Sequence, residues 1–264
     1  MIGPMSDNSS FVTKATMLAV TIIAFASSPS SPQVFVNGQE QVCKPVSTVE
    51  NFNLTEYISG PWYIHQQMEN AYTPLDQNYC VSAKYRLKEG PSFPWGYRVE
   101  VANVAQDEDG NTSGGNLCAN FNDDDPSKLN VAPCFIPQLW SGPYWVVAYN
   151  ETAGYALISG GQPDEVVPDE TGCGGSSSSD SSGDGSSSPP SSYSCCRTGT
   201  GINGSGLWIF SRSRDRDEAL ISTVREIAKD AGFATSVLFD VNQTSCEEGS
   251  QSSRRRYSRN LLRH

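Results

Sequence analysis

The chain has 264 residues, only 37% of them hydrophobic, and is rich in Gly, Pro, Ser and Asn. That composition suits short strands joined by turns better than long helices, and a leader, a serine-rich tract and a basic tail leave room for one barrel-sized domain. With 18 Lys and Arg against 29 Asp and Glu, the formal net charge of −11 repels nucleic acid and anionic membrane surfaces and excludes both as main partners.

Residues 1–26 read as a signal peptide: Lys14 precedes the apolar run Met17 to Phe25, and Ala24-Phe25-Ala26 offers small residues for cleavage. The run is too short to span a bilayer. Secretion is the expected destination; Phe25 directly after a small residue also fits a two-step leader, which makes a plastid lumen the alternative address. Export to an oxidising compartment makes the eight cysteines (43, 80, 118, 134, 173, 195, 196 and 246) disulfide partners. Asn53, Asn111, Asn150, Asn203 and Asn242 each begin an Asn-x-Ser/Thr sequon in a loop or beside a strand end, the placement expected of a glycoprotein.

Residues 27–42 form a flexible lead-in, and the ordered domain is expected over 43–249. Phe52, Leu54 and Tyr57 fall in a short helical turn before Gly60-Pro61-Trp62-Tyr63, which opens the first strand. Val81, Ala83, Tyr85 and Leu87 then alternate with Ser82, Lys84 and Arg86, as do Tyr97, Val99 and Val101 with Arg98 and Glu100. Such alternation marks strands with one wet face. Leu129 and Val131 repeat it, and Tyr144 to Tyr149 with Tyr155 to Ser159 form a hairpin. DEDGN at 107–111 and NDDDPS at 122–127 are turn chemistry between strands. A serine-rich insert at about 171–199 has almost no apolar surface to bury and is expected to be disordered. Leu207 to Arg212 resumes the barrel; Asp217 opens a helix with Leu220, Val224, Ile227 and Ala231 on one stripe, Gly232 ends it, and Ser236 to Val241 is a last short strand. Residues 250–264 form a basic disordered tail, with Arg254, Arg255, Arg256, Arg259 and Arg263, suited to weak membrane or protein contact.

Three segments carry a family resemblance. Gly60-Pro61-Trp62 resembles the Gly-x-Trp opening of lipocalins, Tyr144 to Tyr155 (YWVVAYNETAGY) their second conserved segment, and Leu207 to Arg212 (LWIFSR) their third. Within the family the likeness is greatest to apolipoprotein D and the bacterial lipocalins, through Cys43-Lys44-Pro45, Tyr79-Cys80-Val81 and Cys246. The resemblance implies an all-β fold, an eight-stranded antiparallel up-and-down barrel with a C-terminal α-helix, whose bore holds one small hydrophobic ligand. It also implies that Arg212 packs across Trp62 beside Gly60 at the closed end, as structure and not as site. It pairs Cys80 with Cys246 and bridges Cys43 into the insert, to Cys173, Cys195 or Cys196. Cys118 and Cys134, on or next to neighbouring strands, are left to pair with each other. Adjacent Cys195 and Cys196 do not readily bond each other.

The inward set of the alternation supplies the expected ligand-binding residues: Ile64, Gln66 and Met68 on the first strand, then Val81, Ala83, Tyr85, Tyr97, Val99, Val101, Leu129 and Val131. A slip of one residue would exchange inside for outside. His65, Gln66 and Tyr85 are the polar groups available to orient a headgroup, with His65 read as a wall residue. Strand parity places the insert at the open mouth, with residues 69–78 and 106–113. No catalytic constellation, metal site or cofactor is expected, because His65 and His264 are the chain's two histidines and the carboxylates cluster in loops. Some lipocalins are nonetheless enzymes acting on lipids or xanthophylls, and one uses a free thiol in the bore, so an unpaired inward Cys118 would keep that alternative open. A lipocalin used mainly for protein contact is the other alternative.

Overall fold

The computed structural model describes residues 35–36, 39–88, 95–174 and 193–246. The expected signal peptide, much of the lead-in, the centre of the insert, the basic tail and His264 lie outside the described residues.

Strands β1 (Phe35–Val36) and β2 (Gln39–Glu40) pair with each other. Asn53 caps the helical turn α1 (Leu54–Tyr57), its side chain accepting from the Glu56 amide. Seven strands follow as an antiparallel meander: β3 (Trp62–Met68), β4 (Tyr79–Leu87), β5 (Val99–Gln106), β6 (Thr112–Phe121), β7 (Lys128–Pro133), β8 (Gly142–Asn150) and β9 (Tyr155–Ser159). A long connection carrying a small hairpin, β10 (Glu165–Val166) with β11 (Cys196–Arg197), leads to the eighth, β12 (Leu207–Ser211). That strand pairs with both β9 and β3, so the sheet closes on itself as an eight-stranded barrel with no unpaired side.

The period-two patterns explain which side chains enter the bore. On β12, Trp208 and Phe210 face inward, while Leu207 and Ile209 face outward into a second apolar layer under a helix. That helix, α2 (Glu218–Asp230), is capped by Asp217, whose carboxylate accepts from the amides of Ala219 and Leu220. It ends in a Schellman turn: Gly232, at φ +96°, donates to Lys229 O and Phe233 donates to Ala228 O. The buried stripe is Ile221, Val224 and Ala228, not Leu220, Val224, Ile227 and Ala231. The expected stripe is turned too far about the axis; Leu220, Ile227 and Ala231 are only half-buried. After the helix, β13 (Leu238–Asp240) pairs beside β3.

Strand β6 has no counterpart in the alternation read from the sequence. Its first half, Thr-Ser-Gly-Gly-Asn, carries no apolar signal, yet it runs in unbroken register with β5 from Val99↔Ala119 to Gln106↔Thr112. At Gly114, φ is +134° and a Cβ would strike the Asn103 carbonyl, so glycine is what allows the two strands to approach there.

Four disulfides join Cys43–Cys196, Cys80–Cys246, Cys118–Cys134 and Cys173–Cys195. Of the three partners left open for Cys43 the bond is to Cys196, and Cys195 pairs with Cys173. Successive side chains of an extended segment point to opposite sides, so the adjacent cysteines serve two different partners. Both flanks of the insert, 171–174 and 193–199, are described residues held by these bonds, and residues 175–192 lie outside the description.

Candidate ligand-binding cavity

Within the barrel lies a cavity of about 590 Å³, inside the range of about 300–1,000 Å³ usual for small-molecule sites. Ile64, Val81, Ala83 and Tyr85 line one side, and Val101, Leu129 and Val131 another. These seven of the eleven expected lining residues therefore meet around one hollow.

Gln66, Met68, Tyr97 and Val99 do not line it. On β3, Phe210 pairs with Ile64 but Ile209 pairs with Gln66, so one extra residue intervenes and the later part of the strand is turned over. Gln67 takes the inward place. Gln66 instead bonds Asp240 and Arg225 on the outer face, and Met68 packs with Leu238 and Phe233 in the layer under α2. Tyr97 precedes β5, outside its alternation, and sits against Cys118 and Ala132 with its hydroxyl donated to Ile136 O at 2.9 Å. Val99 belongs to the inner core without reaching the cavity.

Other lining residues carried a weaker signal or none. Trp208 and Phe210 are alternate residues of one strand and were legible as a pair; Tyr144 lies in a strand bulged between Val146 and Ala148, which hides its parity. Tyr72 and Ile202 come from loops and Trp140 from a single 3-10 turn (Gln138–Trp140), where strand periodicity says nothing. These last three form the mouth: Trp140 is 65% exposed and Ile202 78% exposed while both line the cavity, so the hollow reaches solvent between them. The segment around Ile202 is tied in place by Ala71 N donating to Thr200 O and by the Tyr72 hydroxyl donating to Ser205 O. The connection between β9 and β12 therefore walls the open end, the side expected for it.

No Asp, Glu, Lys, Arg or His lines the cavity among the described residues. Its strongest polar feature is a chain of three tyrosines: Tyr144 Oη lies 2.6 Å from Tyr57 Oη and 2.8 Å from Tyr85 Oη. Burial holds all three phenols protonated, raising Tyr85 to about 12 and Tyr57 and Tyr144 well above the usual tyrosine value.

The opposite end is sealed. The Arg212 guanidinium lies 3.7 Å from the Trp62 ring centre and donates to the carbonyls of Gly60, Pro61, Glu56 and Tyr57 as well as to Glu151. A cation–π contact of this kind is worth about 0.5–2 kcal/mol. Trp62 donates its indole N–H to Tyr57 O at 2.9 Å, so its polar edge is satisfied in full burial.

Groups that would support chemistry are otherwise engaged. His65 sits fully buried on the bulged strand outside the cavity lining, with Nε2 at 2.9 Å from Ser213 O, and burial lowers its pKa. Cys118 is disulfide-bonded and offers no thiol. Glu170, Cys173 and Cys195 lie close enough together to suggest a metal site. The two cysteines are bonded to each other, however, and the carboxylate already accepts from the amides and hydroxyls of Thr235 and Ser236. All five sequon asparagines are exposed, and no described helix is long and apolar enough to cross a membrane.

No protein-family model matches the chain, and no curated protein matches it. Among solved structures it is similar to lobster apocrustacyanin A1, at 16% identity over 77% of this chain and 92% of that one, with a TM-score of 0.46. It is similar to the cockroach major allergen Per a 4, at 17% identity over 76% and 95% with a TM-score of 0.45. It is also similar to the siderocalin Ex-FABP, at 15% identity over 71% and 94% with a TM-score of 0.41. At identities and TM-scores this low the likenesses say nothing about what this chain binds.

Proposed function

We propose that this chain is a secreted lipocalin that takes one small hydrophobic molecule into its barrel and carries it. One observation bears most of the weight: a closed barrel encloses about 590 Å³ lined mainly by apolar side chains, with no charged one among the described residues, and open to solvent beside Trp140 and Ile202. A solid core of the same strands would give a more stable protein, since each unfilled volume forfeits packing. A bore kept hollow and apolar is suited to a guest of matching polarity. Removal of apolar ligand surface from water contributes about 25 cal/mol per Å², offset by the freedom lost on association.

Membership of the lipocalin family, with the nearer likeness to apolipoprotein D, is part of this proposal and rests on the three segments around Trp62, Tyr144 and Arg212. The four disulfides support an oxidising compartment, which a secreted protein or one in a plastid lumen would occupy. The exposed sequons support glycosylation there. A carrier without enzymatic activity is favoured over the enzyme reading because the cysteines are paired and neither His65 nor any carboxylate among the described residues reaches the cavity.

Native mass spectrometry of protein purified from secreting cells tests the proposal. The expected spectrum shows one extra apolar mass per chain that organic solvent releases. Repeated preparations that are empty, and that take up no apolar probe, would contradict it.

A further inference from the structure

The polar side chains of the cavity wall, Thr73, Gln77, Ser82, Asn103, Ser113 and Asn203 among them, are all neutral, and two polar places carry hydrogen-bonding capacity that the protein leaves unused. At the first, three hydroxyl groups bring three protons to two hydrogen bonds, Tyr57 with Tyr144 and Tyr144 with Tyr85. One proton and several oxygen lone pairs are left over. Tyr85 and Tyr144 line the cavity and Tyr57 does not, so the unused capacity that meets a guest belongs to those two.

At the second place, Gln67 donates through Nε2 to Asn78 Oδ1, while its Oε1 has no partner and the residue is 2% exposed. Gln67 also lines the cavity. A buried, unpaired amide oxygen is costly unless a guest or a water donates to it. The Gln67 oxygen is itself shut off from the hollow, so the wall offers its spare hydrogen-bonding capacity at the tyrosine hydroxyls, with no charge to meet an ion.

Resting on the carrier reading, we propose that the physiological guest is a neutral apolar molecule bearing a hydroxyl or carbonyl oxygen, held at that oxygen by Tyr85 and Tyr144, and not a carboxylate such as a free fatty acid. An ionised carboxylate in this bore would lose its hydration without gaining a cation, since the nearby Arg212 is bound on the far side of Trp62 to Glu151 and four carbonyls. A hydroxyl or carbonyl loses far less hydration and recovers it by bonding the tyrosine chain.

The experiment uses the full chain and a neutral fluorescent probe, N-phenyl-1-naphthylamine, displaced by 1-dodecanol or by dodecanoate at pH 8. Dodecanol is expected to displace it at a concentration about ten-fold or more below that of dodecanoate, the discrimination of an uncompensated buried charge. Because an alcohol also partitions better into any apolar space, Tyr85→Phe and Tyr144→Phe separate recognition from partitioning. Each variant should weaken dodecanol by about 2- to 10-fold relative to the probe, whose affinity for the same variant is measured alongside as the reference. Retained probe binding shows that the variants are folded, and the wild-type ratio stands as a test if they are not. Equal or tighter binding of dodecanoate overturns the proposal, as does dodecanol binding indifferent to both substitutions. Failure of the probe to bind the wild-type chain at all would instead overturn the carrier reading beneath it.

Discussion

At the closed end of the barrel Phe52, Tyr57, Trp62 and Tyr149 pack ring against ring at centroid separations from 5.2 to 6.1 Å, under an arginine that occupies four backbone carbonyls. At the mouth, Tyr72, Trp140 and Ile202 are equally apolar yet stand 48%, 65% and 78% exposed. The closed-end rings are fixed by each other and by satisfied polar edges, so their burial stabilises the fold. The mouth residues face solvent on one side and the hollow on the other, so their apolar surface is left over for something that passes between them. One end holds the barrel together; the other governs access.

Substitutions at the two ends should therefore separate stability from binding. Trp62→Ala should give the largest effect, a loss of about 3–5 kcal/mol read from the denaturant midpoint, because a fully buried ring leaves a cavity at the centre of the seal. Arg212→Ala should cost about 2–4 kcal/mol, since four carbonyls and a carboxylate lose a charged donor together. Arg212→Lys should recover little of it, because one ammonium cannot reproduce the fork. If either change is silent in stability, the closed end is not the seal described.

Between the ends, the tyrosine chain gives a pH signature. A phenol whose folded pKa lies above its unfolded value holds its proton more tightly in the native state. Its stabilisation is thus complete below pH 10.0 and lost as pH rises through the folded value, about 12 for Tyr85. Alkaline unfolding should set in across that window, and phenolate absorbance should show a late-ionising group that Tyr85→Phe or Tyr144→Phe diminishes. Early titration of every tyrosine near pH 10 would mean that the chain is open to water. The smallest stability effect belongs to the mouth. Ile202→Asp should change stability by no more than about 0.5 kcal/mol yet weaken an apolar probe about five-fold, through loss of about 1 kcal/mol of apolar contact. A stability loss as large as that of Arg212→Ala would erase the distinction between the ends.

Much of this was legible in the sequence because alternation survives wherever a strand is regular. Val81, Ala83 and Tyr85, or Leu129 and Val131, reach the cavity as their spacing requires. The failures have local causes. The bulge in β3 reverses the parity after Ile64, which sends Gln66 and Met68 outward and brings Gln67 in. Strand β6 is held by its neighbours and by glycine's freedom at Gly114 more than by apolar residues, so nothing periodic announces it. The mouth is made of connections between strands, two loops and a 3-10 turn, whose contributions to a site depend on where the scaffold carries them. The tyrosine chain assembles from α1, β4 and β8, and proximity among side chains 28 to 87 positions apart leaves no mark on any one segment.

The hollow itself is tested most directly by titrating the full-length protein with N-phenyl-1-naphthylamine, beside a Leu117→Trp variant whose added ring fills the lining from β6. One saturable site per chain is expected, with emission enhanced and shifted to shorter wavelength, and saturation should disappear in the variant while its circular dichroism is unchanged. Fluorescence that never saturates in the wild-type protein, or that saturates identically once the ring is added, would contradict the account.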